Sequence, residues 1–167
     1  MAIINKSARA GEFVPPGAEP GLTRRFAWRD ADQDKAVHDV AARRFNFPSP
    51  DYPTYKTYTN RPERQIGVRL DDGSLAFPDI VVVDRDTAVR LIGEVETHRS
   101  MREQDDPALV EKWSTLAGLA DLYLFVPLDY VDRARRLIKK HRIKVAGLRT
   151  WRYIAGQDLI DITDIPL

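Results

Sequence analysis

Apolar residues along this chain change their spacing several times, and each change marks an element. Ala36, Val37, Val40, Ala41 and Phe45 recur three and four residues apart, which predicts an amphipathic helix over residues 30–45. Residues 46–63 lose that period: four prolines and the tyrosines Tyr52, Tyr55 and Tyr58 predict a loop, with room for an irregular strand. Apolar runs then shorten to strand length at 65–70, 75–84 and 88–96, divided by the turn stretches Asp71-Asp72-Gly73-Ser74 and Asp84-Arg85-Asp86-Thr87. Val110, Trp113, Leu116, Ala117 and Ala120 restore a helical stripe over 107–120, with Pro107 in its first turn. Residues 122–127 are almost wholly apolar, as in a strand buried on both faces. A further helix over 129–141 and a strand over 143–151 follow, and the tail is ambiguous, with Asp158, Asp161 and Asp164 among Ile and Leu. The order αβββαβαβ predicts an α/β (α+β) fold, with a mixed central sheet and helices on both faces.

Composition narrows the class. A chain of 167 residues with 43% hydrophobic and 31% charged residues fits one globular domain, expected over 26–167. Residues 1–25, with Gly-Glu-Phe-Val-Pro-Pro-Gly and Glu-Pro-Gly, predict an extended N-terminal arm. No apolar run reaches membrane-spanning length and no signal core opens the chain, so no membrane partner and a cytoplasmic location are expected. Cysteine is absent and only three His are present, so any metal is to be held mainly by oxygen ligands.

The candidate chemistry lies where apolar strands carry acids. In extended chain, side chains two apart share a face, so Glu94 and Glu96 project together. The turn at 84–87 folds the strand holding Asp79 back along the one holding Glu94 and Glu96. Three carboxylates meeting in an apolar sheet repel one another and lose hydration, and a hard divalent cation such as Mg²⁺ or Mn²⁺ relieves both costs. The other reading places these acids on a solvated face or at strand ends. Asp34, with Asp30 and Asp32, crowds the start of the first helix, where negative charge favours the helix dipole.

Phe77-Pro78-Asp79-Ile80 on the second strand and Glu94-Val95-Glu96 on the third, followed by a helix with Lys112-Trp113 and the apolar strand at 123–126, resemble the PD-(D/E)xK nuclease superfamily. The resemblance covers most of the chain, from Asp30 to Trp151. It implies a restriction-endonuclease-like fold and a Mg²⁺ (or Mn²⁺) site in which Asp79 and Glu94 are ligands, with Asp34 completing the set. The chain departs from the family pattern at one position: Glu96 stands where the family's strand lysine would be, giving ExE for ExK. Glutamate there could bind metal or act as a base. Two residues are candidates to replace the lysine. Lys112 matches the members that carry it on the following helix, and His98 shares the face of Glu94 and Glu96 if the strand continues. Each also has a plainer reading, Lys112 as a solvated neighbour of core Trp113 and His98 as the end of the strand.

Between Arg133 and Lys144 stand seven Arg or Lys residues and no acid. Arg136, Lys139 and Lys140, with Arg99 and Arg102 beyond the acids, are candidate phosphate contacts to DNA, or a solvated face that suits the helix dipole. The leading expectation is therefore a Mg²⁺-dependent endonuclease-like phosphodiesterase acting on DNA. A second is a catalytically inactive nuclease-fold protein that binds nucleic acid or a protein, supported by the missing strand lysine. A third is a subunit that forms a homodimer through the N-terminal arm and the Tyr/Pro loop.

Overall fold

Helix α1 (Ala31–Arg44) buries Ala36, Val37, Val40 and Ala41, the stripe its spacing predicts, and Phe45 follows them into the core just past its end. Asp32 and Asp34 lie in its first turn, Arg43 and Arg44 in its last, so both ends complement the dipole. The computed structural model describes residues 2–5 and 31–167. The expected N-terminal arm lies outside the described residues except for 2–5, which form strand β1 (Ala2–Asn5). The fold is mixed α/β, as the patterning predicts. The chain divides into two compact units, Met1–Arg90 and Leu91–Leu167, the boundary falling inside the stretch read as one domain.

In the first unit, β2 (Tyr55–Thr59) pairs antiparallel with β5 (Ile80–Asp84), and Val81, Val82 and Val83 are fully buried. The loop of 46–63 thus holds a regular strand. Its aromatic residues cover one another, Phe47 edge-on to Tyr52 and Tyr55 at ring separations of 5.8 and 5.3 Å. A second ladder joins β1 in parallel to β3 (Ile66–Arg69), which pairs antiparallel with the short β4 (Leu75–Ala76).

The expected strand over 75–84 is therefore two strands, β4 pairing with β3 and β5 with β2. The break lies at Phe77-Pro78-Asp79, where Pro78 has no amide hydrogen to give a ladder. Asn60 takes over the pairing. Its side chain donates to the Pro78 carbonyl at 2.7 Å and its backbone amide to the Asp79 carbonyl at 2.9 Å. After β5, Arg85 and Asp86 have φ of 53° and 56°, and the Thr87 amide donates to the Asp84 carbonyl at 3.1 Å. This is the type I′ turn expected of a hairpin.

In the second unit, β7 (Asp121–Pro127) lies between β6 (Ala88–Val95) and β8 (Val145–Tyr153), parallel to both, which explains its unbroken apolar run. The ambiguous tail forms β9 (Ile160–Ile165), antiparallel to β8. Register puts Asp164 opposite Arg149 and Asp161 opposite Arg152, with ion pairs of 2.6 and 3.3 Å. Helix α2 (His98–Glu103) was not expected. Helix α3 (Asp106–Ala117) is capped by the Asp105 side chain and buries Leu109, Trp113 and Leu116. Helix α4 (Val131–His141) buries Val131, Ala134, Leu137 and Ile138, whose helical spacing puts them on one face.

Candidate functional site

Strand β6 delivers Glu94 and Glu96 to one side. Glu94 pairs in register with Leu124, and the Glu96 amide donates to the Phe125 carbonyl at 2.8 Å, so extended geometry continues one residue past the strand. The chain then turns into α2. Thr97 caps that helix: its hydroxyl accepts from the Ser100 amide at 3.0 Å, and its own amide donates to the Ser100 hydroxyl at 2.8 Å. This reciprocal cap overturns the continued strand that would have kept His98 on the face of the two glutamates. His98 is the first residue of α2, with its imidazole 3.4 Å from Asp129 and edge-on to Tyr130.

The second unit brings Glu94, Glu96 and Lys112 together. Lys112 Nζ forms a close ion pair with Glu96 Oε1 and lies 3.4 Å from Glu94 Oε1. Glu96 is 0% exposed, yet its carboxylate is well provided with donors. Trp113 Nε1 donates to Oε1 at 3.0 Å, while the Ser100 hydroxyl and the Gln104 amide donate to Oε2 at 2.6 and 3.3 Å. Trp151 Nε1 adds a bond of 3.0 Å to the Glu96 carbonyl. Burial pushes the Glu96 carboxyl up. The Lys112 charge and the hydrogen bonds from Lys112, Ser100 and Trp113 outweigh it and hold the group below the ordinary carboxylate range. A group depressed in this way contributes stability that is present above the ordinary carboxylate range and lost as pH falls through the folded value.

Asp79 and Asp34 belong to the first unit. Asp79 is 4% exposed, and Arg61 Nε lies 3.4 Å from its Oδ1. The same guanidinium reaches Asp34 Oδ1 at 3.9 Å, so Arg61 stands between the two acids. Asp79 owes its place to Asn60, which holds the backbone on both sides of the Pro78–Asp79 peptide bond and accepts from the Gln65 and Ile66 amides at 2.9 Å each.

Spacing along the chain gives no sign that Arg61, Asn60, Ser100 and Gln104 belong beside these acids, and it marks Trp113 as core alone. Trp113 carried one legible signal, since a buried indole N–H needs an acceptor. The donor types fit a hard cation, being carboxylate oxygens, and each acid also has a protein cation beside it. Among the described residues, no group of three or more His, Asp or Glu side chains is arranged to hold a metal.

The basic segment divides into residues held within the fold and residues exposed on its surface. Arg133 ties α4 to the chain before it, pairing with Asp106 at 2.8 Å and donating to the carbonyls of Met101 and Gln104. Arg136 also reaches Asp106, at 3.2 Å, and Arg99 pairs with Glu103 at 2.9 Å. Hydrogen bonding from Arg133 leads the effects that lower the Asp106 pKa. Lys139, Lys140 and Arg102 are exposed. Among the described residues, no helix is long and apolar enough to cross a membrane. No protein-family model, curated protein or solved structure matches the chain.

Proposed function

We propose that this protein is a divalent-metal-dependent phosphodiesterase acting on DNA, with Glu94 as a metal ligand and Lys112 supplying the cation that the strand lacks. The observation that carries the reading is the position of Lys112. A strand with two glutamates and no lysine receives an ammonium from α3, within ion-pair distance of both carboxylates. The resemblance names Asp79 as a second ligand and Asp34 as a third. The chemistry that Mg²⁺ or Mn²⁺ supplies when bound is Lewis-acid activation of a phosphoryl oxygen and of water. Lys112, a point charge on a flexible stem, neutralises negative charge that develops on the phosphate and donates to its oxygens. Exposed Lys139, Lys140 and Arg102 hold the DNA backbone by charge.

The test is Mg²⁺-dependent cleavage of plasmid DNA by the wild type and by Asp79→Ala, Glu94→Ala and Lys112→Ala. Each variant, folded by circular dichroism, is expected to lose on the order of 100-fold or more in rate, the usual scale for removing an electrostatic stabiliser. Full cleavage by folded Asp79→Ala or Glu94→Ala removes the assignment.

A second reading has one specific observation in its favour. Lys112 already makes the burial of two acids tolerable, so the pair needs no ion for stability. A nuclease-fold protein of this kind would bind nucleic acid or a protein without cleaving. Calorimetry with Mg²⁺ and Mn²⁺ separates the two, since no heat of binding at millimolar metal favours the inactive relative.

A further inference from the structure

We propose that Glu96 is a positioning residue for Lys112 and not a ligand of the ion, an inference that rests on the proposed function and sharpens it. An ionised carboxylate offers about four lone-pair sites. In Glu96, Lys112 and Trp113 donate to Oε1, and Ser100 and Gln104 to Oε2. An ion taking either oxygen would displace a donor. Trp113 is 0% exposed, and a buried donor without an acceptor is costly.

The arrangement also answers how ExE can stand for ExK. A lysine at position 96 would bring its ammonium from the strand itself. Here the strand residue is an acid, and the ammonium comes to its tip from the facing helix. A lysine side chain has a long, flexible stem, so an ammonium that must sit at one place needs an anchor. Glu96 is that anchor, and Ser100, Gln104 and Trp113 fix the anchor in turn. Three elements therefore converge on one carboxylate: β6 supplies it, α2 and the residue after it orient one oxygen, and α3 orients the other. Among the described residues, the charged and titratable groups facing Glu96 are Lys112 on α3 and Glu94 on its own strand.

The experiment compares wild type, Glu96→Gln and Glu94→Gln by Mn²⁺ calorimetry, DNA cleavage and NMR titration of ¹³C-labelled lysine, with the Lys112 signal identified through Lys112→Met. Glu96→Gln is expected to keep Mn²⁺ affinity within about threefold, while Glu94→Gln loses it about tenfold or more, in line with the loss of a direct ligand rather than of an outer partner. In Glu96→Gln the Lys112 titration midpoint is expected to fall by about one pH unit, because the adjacent opposite charge is gone. Cleavage by that variant is expected to fall about 100-fold in kcat with KM little changed, the signature of a misplaced group.

A loss of Mn²⁺ affinity in Glu96→Gln equal to that in Glu94→Gln overturns the inference. So does an unmoved Lys112 midpoint. If the wild type neither binds Mn²⁺ nor cleaves DNA, the nuclease reading fails by itself and the Lys112 titration decides whether Glu96 anchors it. Should Glu96→Gln not fold, Lys112→Met serves. Its acid unfolding limb is expected to move to higher pH, since Glu96 loses the charge that held its carboxyl down, and an unmoved limb counts against anchoring.

Discussion

Asn60 shows how one neutral side chain can set the place of a charged one. Its amide group donates to the Pro78 carbonyl and accepts from the Gln65 and Ile66 backbone amides. Asn60→Ala is expected to destabilise the protein by about 2–4 kcal/mol, because several buried backbone groups lose their partners together. Urea unfolding followed by circular dichroism measures it, and a loss below about 1 kcal/mol would mean that water replaces the side chain. Asn60 could not be picked out of the sequence as a clamp on Asp79, since the two are distant along the chain. The acids themselves were legible: Asp79 after a proline and Glu94 in an apolar strand are both buried, as the apolar context implied. His98 shows the limit of strand alternation, which ends where Thr97 and Ser100 begin to cap a helix.

At the scale of elements, period and turn chemistry carried far. The stripes of α1 and α4, the doubly buried β7 and the turn at 84–87 all follow from residue spacing. What spacing did not reveal was α2, six residues long and shorter than the window in which a helical period can be counted. Nor did it reveal the break within 75–84, because an apolar run reads the same whether it pairs with one neighbour or two. The end of α4 yields a prediction. Its C-cap, Arg142, sits at φ 52° and ψ 41°, the left-handed region that glycine enters without strain. Arg142→Gly is expected to stabilise the protein by up to about 1 kcal/mol, visible as a raised Tm. A lowered Tm would mean that the arginine side chain contributes more than its backbone strain costs.

Over the whole molecule, a formal charge of +1 hides a basic surface whose members do different work. Arg133 acts within the fold through Asp106 and two carbonyls, while Lys139 and Lys140 point their charges outward. If DNA binds this face, Lys139→Gln with Lys140→Gln is expected to reduce the slope of log affinity against log salt by about 1.8, at about 0.9 per phosphate contact, with Tm unchanged. Fluorescence anisotropy on a DNA duplex at several salt concentrations measures it, and an unchanged slope removes those lysines from the interface. Arg133→Gln is expected to lower Tm instead. Taken alone, the sequence determined the mixed α/β class, most of the helices and strands and the buried stripes of α1 and α4, and it offered the burial of Asp79, Glu94 and Glu96 as one of two readings. These depend on residue type and near-neighbour spacing, which the chain carries locally. Only the tertiary structure decided which cation meets which acid. Arg61 between Asp34 and Asp79, and Lys112 on Glu94 and Glu96, are contacts between long, flexible side chains from separate elements. Nothing in spacing along the chain specifies where such a side chain comes to rest until the packing around it is complete.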